Sequence, residues 1–244
     1  MIKAINLSKT YYQGKTRIEA VRGVTLNVGR GESVLIAGSS GAGKSTLLHL
    51  LGGLDKPTEG ALIFDGTDFY SLPDASRSRI RNERIGFVFQ FYHLLPEFSI
   101  LENVMLPALM AKSKVFRSKA EIKERALKLL GTVGLAERVS HAPAELSGGE
   151  SQRAAIARSL VNFPEVLFCD EPTGNLDTKK SGEIIECLLH LKKTEGMALV
   201  VVSHDERLQE DFDKRHCIQD GIIKEEGKKN EAQSLPRWQV CRQG

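Results

Sequence analysis

The chain has 244 residues, 41% of them apolar, and 34 Lys and Arg against 31 Asp and Glu give a net charge of +3. This is enough for one large domain or two small ones with a real core, while the charge is too weak to signal nucleic-acid binding. No apolar run approaches the roughly 18–20 residues that a membrane-spanning helix needs.

The opening stretch, Met1 to Gly14, lacks the apolar centre of a signal peptide, so a cytosolic location is expected. The apolar run Ser33 to Ala37 predicts a strand ending at a glycine-rich loop, and Ser45 to Leu54 predicts a helix. Ala61 to Phe64, turned by Asp65-Gly66, and Ile85 to Phe89, ending at Gln90, are two further short strands. From Leu101 to about Leu160 no strand is evident, and Lys119 to Leu130 has helical periodicity with charges on one face. The neighbouring Lys112, Lys114, Arg117 and Lys119 read as a solvated surface. Val166 to Cys169 and Ala198 to Val202 are continuous apolar runs, the pattern of strands buried on both faces of a parallel sheet.

Strands alternating with helices make this an α/β chain, with a helical subdomain inserted at about 91–160 into a domain spanning 1–226. After Gly227 the chain turns polar and loses periodicity, so 227–244 is expected to be a flexible tail, with Trp238 as its one candidate anchor. The cysteines, Cys169, Cys187, Cys217 and Cys241, are widely spaced, with no Cys-x-x-Cys pair, which argues against a disulfide framework or a zinc site. There is no internal repeat, so each motif occurs once.

Gly38, Ser39, Ser40, Gly41, Ala42, Gly43, Lys44 and Ser45 fit G-x-x-x-x-G-K-[ST], with Thr46 next. Glycines let backbone N–H groups converge on phosphates, and the following helix points its positive end at them. Lys44 supplies a charge for the β- and γ-phosphates, and the Ser45 hydroxyl suits Mg²⁺. By itself this loop fits kinases and GTPases equally well. The strand from Val166 delivers Asp170 and Glu171 at its C-terminal end, the edge where open α/β sheets bind ligands. Asp170 suits Mg²⁺ and Glu171 suits a general base for water.

Leu146-Ser147-Gly148-Gly149-Glu150, followed by Gln152-Arg153-Ala-Ala-Ile-Ala-Arg158, resembles the signature of ABC transporter ATPases. The fifth position is Glu150 where the LSGGQ-type pattern has Gln. The resemblance covers about residues 1–225 and implies a P-loop NTPase core, RecA-like with a parallel sheet, an antiparallel β subdomain and an inserted α-helical subdomain. It further implies that Tyr11 stacks on adenine, with the adjacent Tyr12 as the competing assignment. Gln90 would reach Mg²⁺ and the attacking water, and Asn175-Leu176-Asp177 would form the D-loop. His204 would contact the γ-phosphate. In such ATPases the signature of one subunit completes the phosphate-loop site of another. The implied species is a head-to-tail homodimer holding two ATP, with Ser147, Gly148, Gly149 and Glu150 facing the partner's nucleotide.

The stretch Phe87 to Phe98, with Leu101 to Val104, lies where ABC ATPases grip the membrane subunits. It looks most like the corresponding segment of lipoprotein-releasing ATPases, whose integral membrane partners are of the LolC/LolE kind. Membrane contact would then run only through those partners, on the cytoplasmic side of the bacterial inner membrane. The alternative is an ATPase of a related macrolide-exporter-type efflux or cell-division system. Nothing resembles the tandem cassettes of ribosome-associated relatives or the split halves of DNA-repair relatives. A binding module that holds ATP without cleaving it would have no use for Glu171 and His204.

Overall fold

The structure, a computed structural model, describes residues 1–111 and 115–228. In chain order its elements are strands β1 (Ile2–Gln13), β2 (Thr16–Val28) and β3 (Ser33–Ala37), helix α1 (Lys44–Leu51), strands β4 (Glu59–Phe64) and β5 (Thr67–Asp68), helix α2 (Asp74–Arg84) and strand β6 (Ile85–Val88). Helices α3 (Ile100–Met110), α4 (Lys119–Thr132) and α5 (Gly148–Leu160) follow without an intervening strand. Strand β7 (Val166–Asp170), helix α6 (Thr178–Glu195) and strands β8 (Ala198–Ser203), β9 (Lys214–Gln219) and β10 (Ile222–Lys228) complete the described chain. Backbone hydrogen bonds order the strands β2-β1-β4-β5 in one sheet and β10-β9-β3-β8-β7-β6 in another.

The chain divides into two compact units, residues 1–77 with 200–244, and residues 78–199. In the first, β1 pairs antiparallel with both β2 and β4. Both pairings carry register shifts, between Ala4 and Thr10 against β2 and between Ile5 and Ser8 against β4. Strand β3 pairs parallel with β9, and every residue from Ser33 to Ala37 is buried, as a strand covered on both faces must be. Asp213 fastens the start of β3, its carboxylate accepting from the Ser33 backbone N–H at 2.9 Å and from its hydroxyl at 2.7 Å.

In the second unit β6 pairs parallel with β7, Val88 opposite Cys169. Helix α5 packs on α3, α4 and β6, so the helical stretch and its strands share one core, and Leu129, Leu130, Ala154 to Ala157 and Leu160 are all buried in it. Arg125 of α4 lies in that core, paired with Glu195 at 2.7 Å and with its guanidinium 4.0 Å from the centre of the Phe163 ring.

The expected helix 45–54 ends earlier, at Leu51, because Gly53 takes φ +71° and redirects the chain. The β1–β2 hairpin and the β9–β10 hairpin occupy stretches to which sequence periodicity had assigned no strands. Among the described residues no helix is long and apolar enough to cross a membrane. Cys169 and Cys187 are free thiols. Cys217 is disulfide-bonded, although the cysteine spacing gives no reason to expect a bridge. Lys112, Lys114 and Trp238 lie outside the described residues, as does the tail beyond Lys228, whereas Gly227 and Lys228 belong to β10.

Candidate active-site elements

In the first unit, β3 runs out at Ala37 and the chain turns through the glycine-rich loop into α1. Gly41 and Gly43 have φ of +78° and +99°, backbone that glycine alone takes up without strain. Space also demands glycine. A Cβ on Gly38 would lie 2.4 Å from the Ile218 carbonyl oxygen, and one on Gly43 would lie 2.2 Å from that of Ala20. The loop is tied across itself by Ala42 N–H donating to Ser39 O (3.2 Å), and outward by Gly221 N–H donating to Ala42 O (3.0 Å). Gly221, in the turn between β9 and β10, in turn accepts from the Arg22 N–H at 2.8 Å, and the Arg22 guanidinium donates twice to Asp220 O. The phosphate loop is thus braced by β2 on one side and by the β9–β10 turn on another.

Lys44 is only 4% exposed, and its ammonium donates to Gly38 O at 3.0 Å and Ser39 O at 2.9 Å, so it curls over the loop that would hold the phosphates. Gly43 is the N-cap of α1 and no side chain caps that end, which leaves the positive pole of the helix directed at the loop. Ser45 and Thr46 stand in the first turn. The Tyr11 phenol donates to Asp55, just past this helix, at 2.7 Å. Burial and the Asp55 hydrogen bond push that phenol up to about 12. Tyr12, on the opposite face of β1, is 72% exposed, so strand alternation separates the two tyrosines that the sequence left side by side. His204 is exposed immediately after β8, beyond the buried Ser203, whose hydroxyl accepts from the Asp205 N–H.

In the second unit, the parallel pairing of β6 and β7 brings their C-terminal ends side by side, and with them Gln90 and the pair Asp170-Glu171. Glu171 holds φ +44°, a left-handed conformation uncommon outside glycine and frequent at sites where geometry is imposed by function. Gln90 is locked to Asn175: its amide donates to Asn175 Oδ1 at 3.4 Å, and Asn175 Nδ2 donates to Gln90 O at 3.0 Å. A side chain on Gly174 would meet the Gln90 amide at 2.8 Å.

The signature opens α5. Ser147 is its N-cap, accepting from the Glu150 N–H, while the Glu150 carboxylate accepts from the Ser147 N–H at 2.8 Å, a reciprocal capping box. Arg138 donates to the other oxygen of Glu150 at 3.1 Å. The Ser147 hydrogen bonds, helped by Arg138, hold the Glu150 carboxyl down at about 2. The departure from Gln at this position therefore has a local use.

Two residues of the same helix connect it to the neighbouring loops. Gln152 is fully buried, and its amide donates to Pro172 O at 2.8 Å and Phe89 O at 3.4 Å, touching the segments on either side of Glu171 and Gln90. Arg158 donates to Tyr92 O and His93 O, and buried Asn103 of α3 bonds Leu95, Phe98 and Ser99. The stretch after Gln90 is thereby held in a shape that exposes Phe91 (67%), Leu95 and Phe98.

A family model described as ABC transporter matches residues 21–174. The chain belongs to the ABC transporter family. Among similar ABC proteins, the lipoprotein-releasing system ATP-binding protein LolD of Geobacter metallireducens is 49% identical over 223 residues, covering 91% of this chain and 97% of that protein. LolD of Xanthomonas axonopodis pv. citri is 50% identical over 225 residues, 92% of this chain and 91% of that protein. Of solved structures, a bacterial ABC transporter cassette in dimeric form superposes with a TM-score of 0.87 at 41% identity, covering 94% of this chain and 99% of that one. A post-hydrolysis dimer bound to ADP and Pi superposes equally well at 40% identity. The expected fold, a P-loop NTPase core with an antiparallel sheet and inserted helices, is that of these ABC cassettes.

Gln152, Arg158 and Arg138 were not singled out by sequence as working residues. Gln152 and Arg158 enter the sequence reading only as letters of the signature-helix resemblance, with no role attached, and Arg138 only as an arginine a dozen residues ahead of an acidic signature. Gly221 and Ala20, which brace the phosphate loop, carry no local signal, since Gly221 bonds Ala42 from 221 − 42 = 179 positions away and Ala20 meets Gly43 only through the packing of β2.

Proposed function

We propose that this ABC ATPase drives a lipoprotein-releasing transporter. The observation that carries the reading is the 49–50% identity, along nine-tenths of the chain, to proteins named for that system. The chain binds and hydrolyses ATP, works as a homodimer, and passes the resulting motion to integral membrane subunits of the LolC/LolE kind. It sits on the cytoplasmic face of the inner membrane and touches the membrane only through them. An efflux or cell-division ATPase of the same family is the competing reading. Recovery of an efflux permease on co-purification with untagged membrane subunits would establish that reading instead.

In this reading the loop Gly38–Ser45 wraps the phosphates, Lys44 leaves its carbonyl partners for the β- and γ-phosphates, and Tyr11 stacks on adenine. Ser45, Asp170 and Gln90 offer the hard oxygen donors that Mg²⁺ prefers, and the ion would neutralise charge on the β- and γ-phosphates. Glu171 takes the proton of the attacking water, and His204 contacts the γ-phosphate. Ser147, Gly148 and Gly149 of one copy present the N-terminus of α5 to the γ-phosphate held by the other. Hydrolysis removes the group that both copies grip, the dimer loosens, and the loop bearing Phe91, Leu95 and Phe98 transmits the movement.

Glu171→Gln is expected to keep ATP binding, to lose turnover and to accumulate an ATP-dependent dimer. Size-exclusion chromatography with and without ATP, alongside a phosphate-release assay, tests this. A variant that stays monomeric with ATP, or that still turns over, refutes the assignment of Glu171.

A further inference from the structure

The adenine-stacking role proposed for Tyr11 leaves open what holds its ring in place, for the residue lies near the end of a strand and is 39% exposed. The surroundings supply an answer. Asp55 accepts from the Tyr11 phenol through Oδ2 at 2.7 Å and from the Lys9 ammonium through Oδ1, also at 2.7 Å. Lys9 in turn stands 4.9 Å from the centre of the Tyr11 ring, over its face. The three side chains close a small ring of contacts in which the carboxylate fixes the phenol and the ammonium covers one face of the aromatic.

Asp55 is itself fixed. The Tyr70 phenol shares its one proton between the backbone carbonyls of Asp55, at 2.5 Å, and Leu50, at 2.6 Å, so Asp55 is fastened to the last turn of α1. Its N–H donates to His49 O, and its Oδ1 also accepts from the Lys56 N–H at 2.7 Å. Lys9 makes a second bond, to Lys56 O. Burial pushes the Asp55 carboxyl up, but the hydrogen bonds from Lys9, Tyr11 and Lys56 outweigh it and hold the group below its ordinary range. A charged acceptor with two side-chain donors and one backbone donor is a rigid anchor.

We propose that Asp55, with Lys9, is a positioning device for the nucleobase: it locks the Tyr11 ring by its hydroxyl and covers one face, leaving the other to stack on a purine. Helix α1 then serves both ends of the nucleotide, with the phosphate loop at its start and the anchor of the base platform just past its end. Preorganising an aromatic in this way lowers the ordering cost of stacking rather than adding a contact to ATP. The inference rests on Tyr11 being the base-stacking residue, and the test separates the two.

Titration calorimetry on the full chain compares ATP with inorganic tripolyphosphate, which has the phosphates and no base. Tyr11→Ala is expected to weaken ATP by roughly tenfold or more, the scale of base–aromatic stacking, and to leave tripolyphosphate unchanged. Asp55→Ala should weaken ATP by a smaller factor, about three- to tenfold, again without touching tripolyphosphate, and should add nothing in the Tyr11→Ala background. Asp55→Asn, which keeps an acceptor for the phenol, should recover part of the loss and serves if the alanine variant folds poorly. If Asp55→Ala weakens both ligands alike, or adds its full effect without Tyr11, Asp55 acts on the fold and the proposal is overturned. Should Tyr11→Ala bind ATP normally, the stacking role of Tyr11 fails first and the positioning role with it; should only Tyr11→Ala show the effect, the positioning role alone fails.

Discussion

Two glycine-rich segments of this ABC ATPase face phosphate in the proposed mechanism, and Gly43 of one and Gly149 of the other are glycines for different reasons. In the phosphate loop, Gly43 has φ +99° and no room: its own chain, at Ala20 O, stands 2.2 Å from where a Cβ would go. In the signature, Gly149 has ordinary helical backbone, and a Cβ there would meet nothing nearer than the Lys180 side chain at 3.6 Å, a normal contact. The fold dictates the first glycine. Nothing in the second glycine's own chain dictates it, and the proposed contact with the partner's nucleotide across the dimer would supply the reason. The capping pattern points the same way. Helix α1 has no side-chain cap, whereas α5 is closed by Ser147, Glu150 and Arg138, an N-terminus prepared in advance.

The comparison breaks most readily at Gly43. Gly43→Ala forces a methyl into the Ala20 carbonyl and an L-residue into left-handed backbone, a strain of about 1–3 kcal/mol before the collision is counted. Nucleotide binding should fall by at least about 100-fold, and the melting temperature of the nucleotide-free chain by about 5 °C or more. Gly41, with φ +78° but nothing within 4 Å of its Cβ, is the internal control, and Gly41→Ala should be milder in both respects. Equal melting temperatures for wild type and Gly43→Ala would mean that the loop relaxes away from β2, against the steric argument.

At Gly149 the two effects should separate. Alanine in a helix is favoured over glycine by about 0.5–1 kcal/mol, so Gly149→Ala is expected to raise the melting temperature by about 1–3 °C. ATP binding to the isolated chain should be unchanged, because the phosphate loop is untouched. Turnover and ATP-dependent dimerisation should drop, because the methyl projects from the surface that meets the partner's γ-phosphate. A variant that is more stable and still turns over normally would show that the signature glycine is not read across the dimer.

The same contrast explains what sequence could and could not reveal. Strands β3, β7 and β8 were legible because they are buried on both faces, and an unbroken apolar run such as Leu199 to Val202 has few other readings. The phosphate loop, Asp170-Glu171 and the signature were legible because their chemistry depends on residues consecutive in the chain. Strands β1 and β2 were not, since register shifts interrupt their alternation and much of one face is exposed. Nor was the support of the loop: Gly221 and Ala20 matter only because folding brings them to Gly43, and Asp55 only because it reaches Tyr11. The choice between Tyr11 and Tyr12 belongs to strand register, which composition cannot supply.

The finest distinction lies at Glu150. If the signature works through backbone donors and a prepared helix end, its fifth residue needs only to close the capping box, which Gln does as well as Glu. Glu150→Gln should then keep turnover at neutral pH within about twofold. What it loses is the charge that Arg138 meets and the depressed titration. The Glu150 carboxyl sits at about 2, below the 4.5 of an unperturbed glutamate, so its contribution to stability is fully present above about pH 4.5 and is lost as pH falls toward 2. Wild type should therefore melt slightly higher than Glu150→Gln at pH 7, by about 1 °C for a partly exposed cap and ion pair. The difference should shrink between pH 4.5 and pH 3, measured by calorimetry on the nucleotide-free chain. A tenfold loss of turnover at neutral pH would place the carboxylate itself in contact with the partner's ATP, and the preformed helix end would no longer account for the signature.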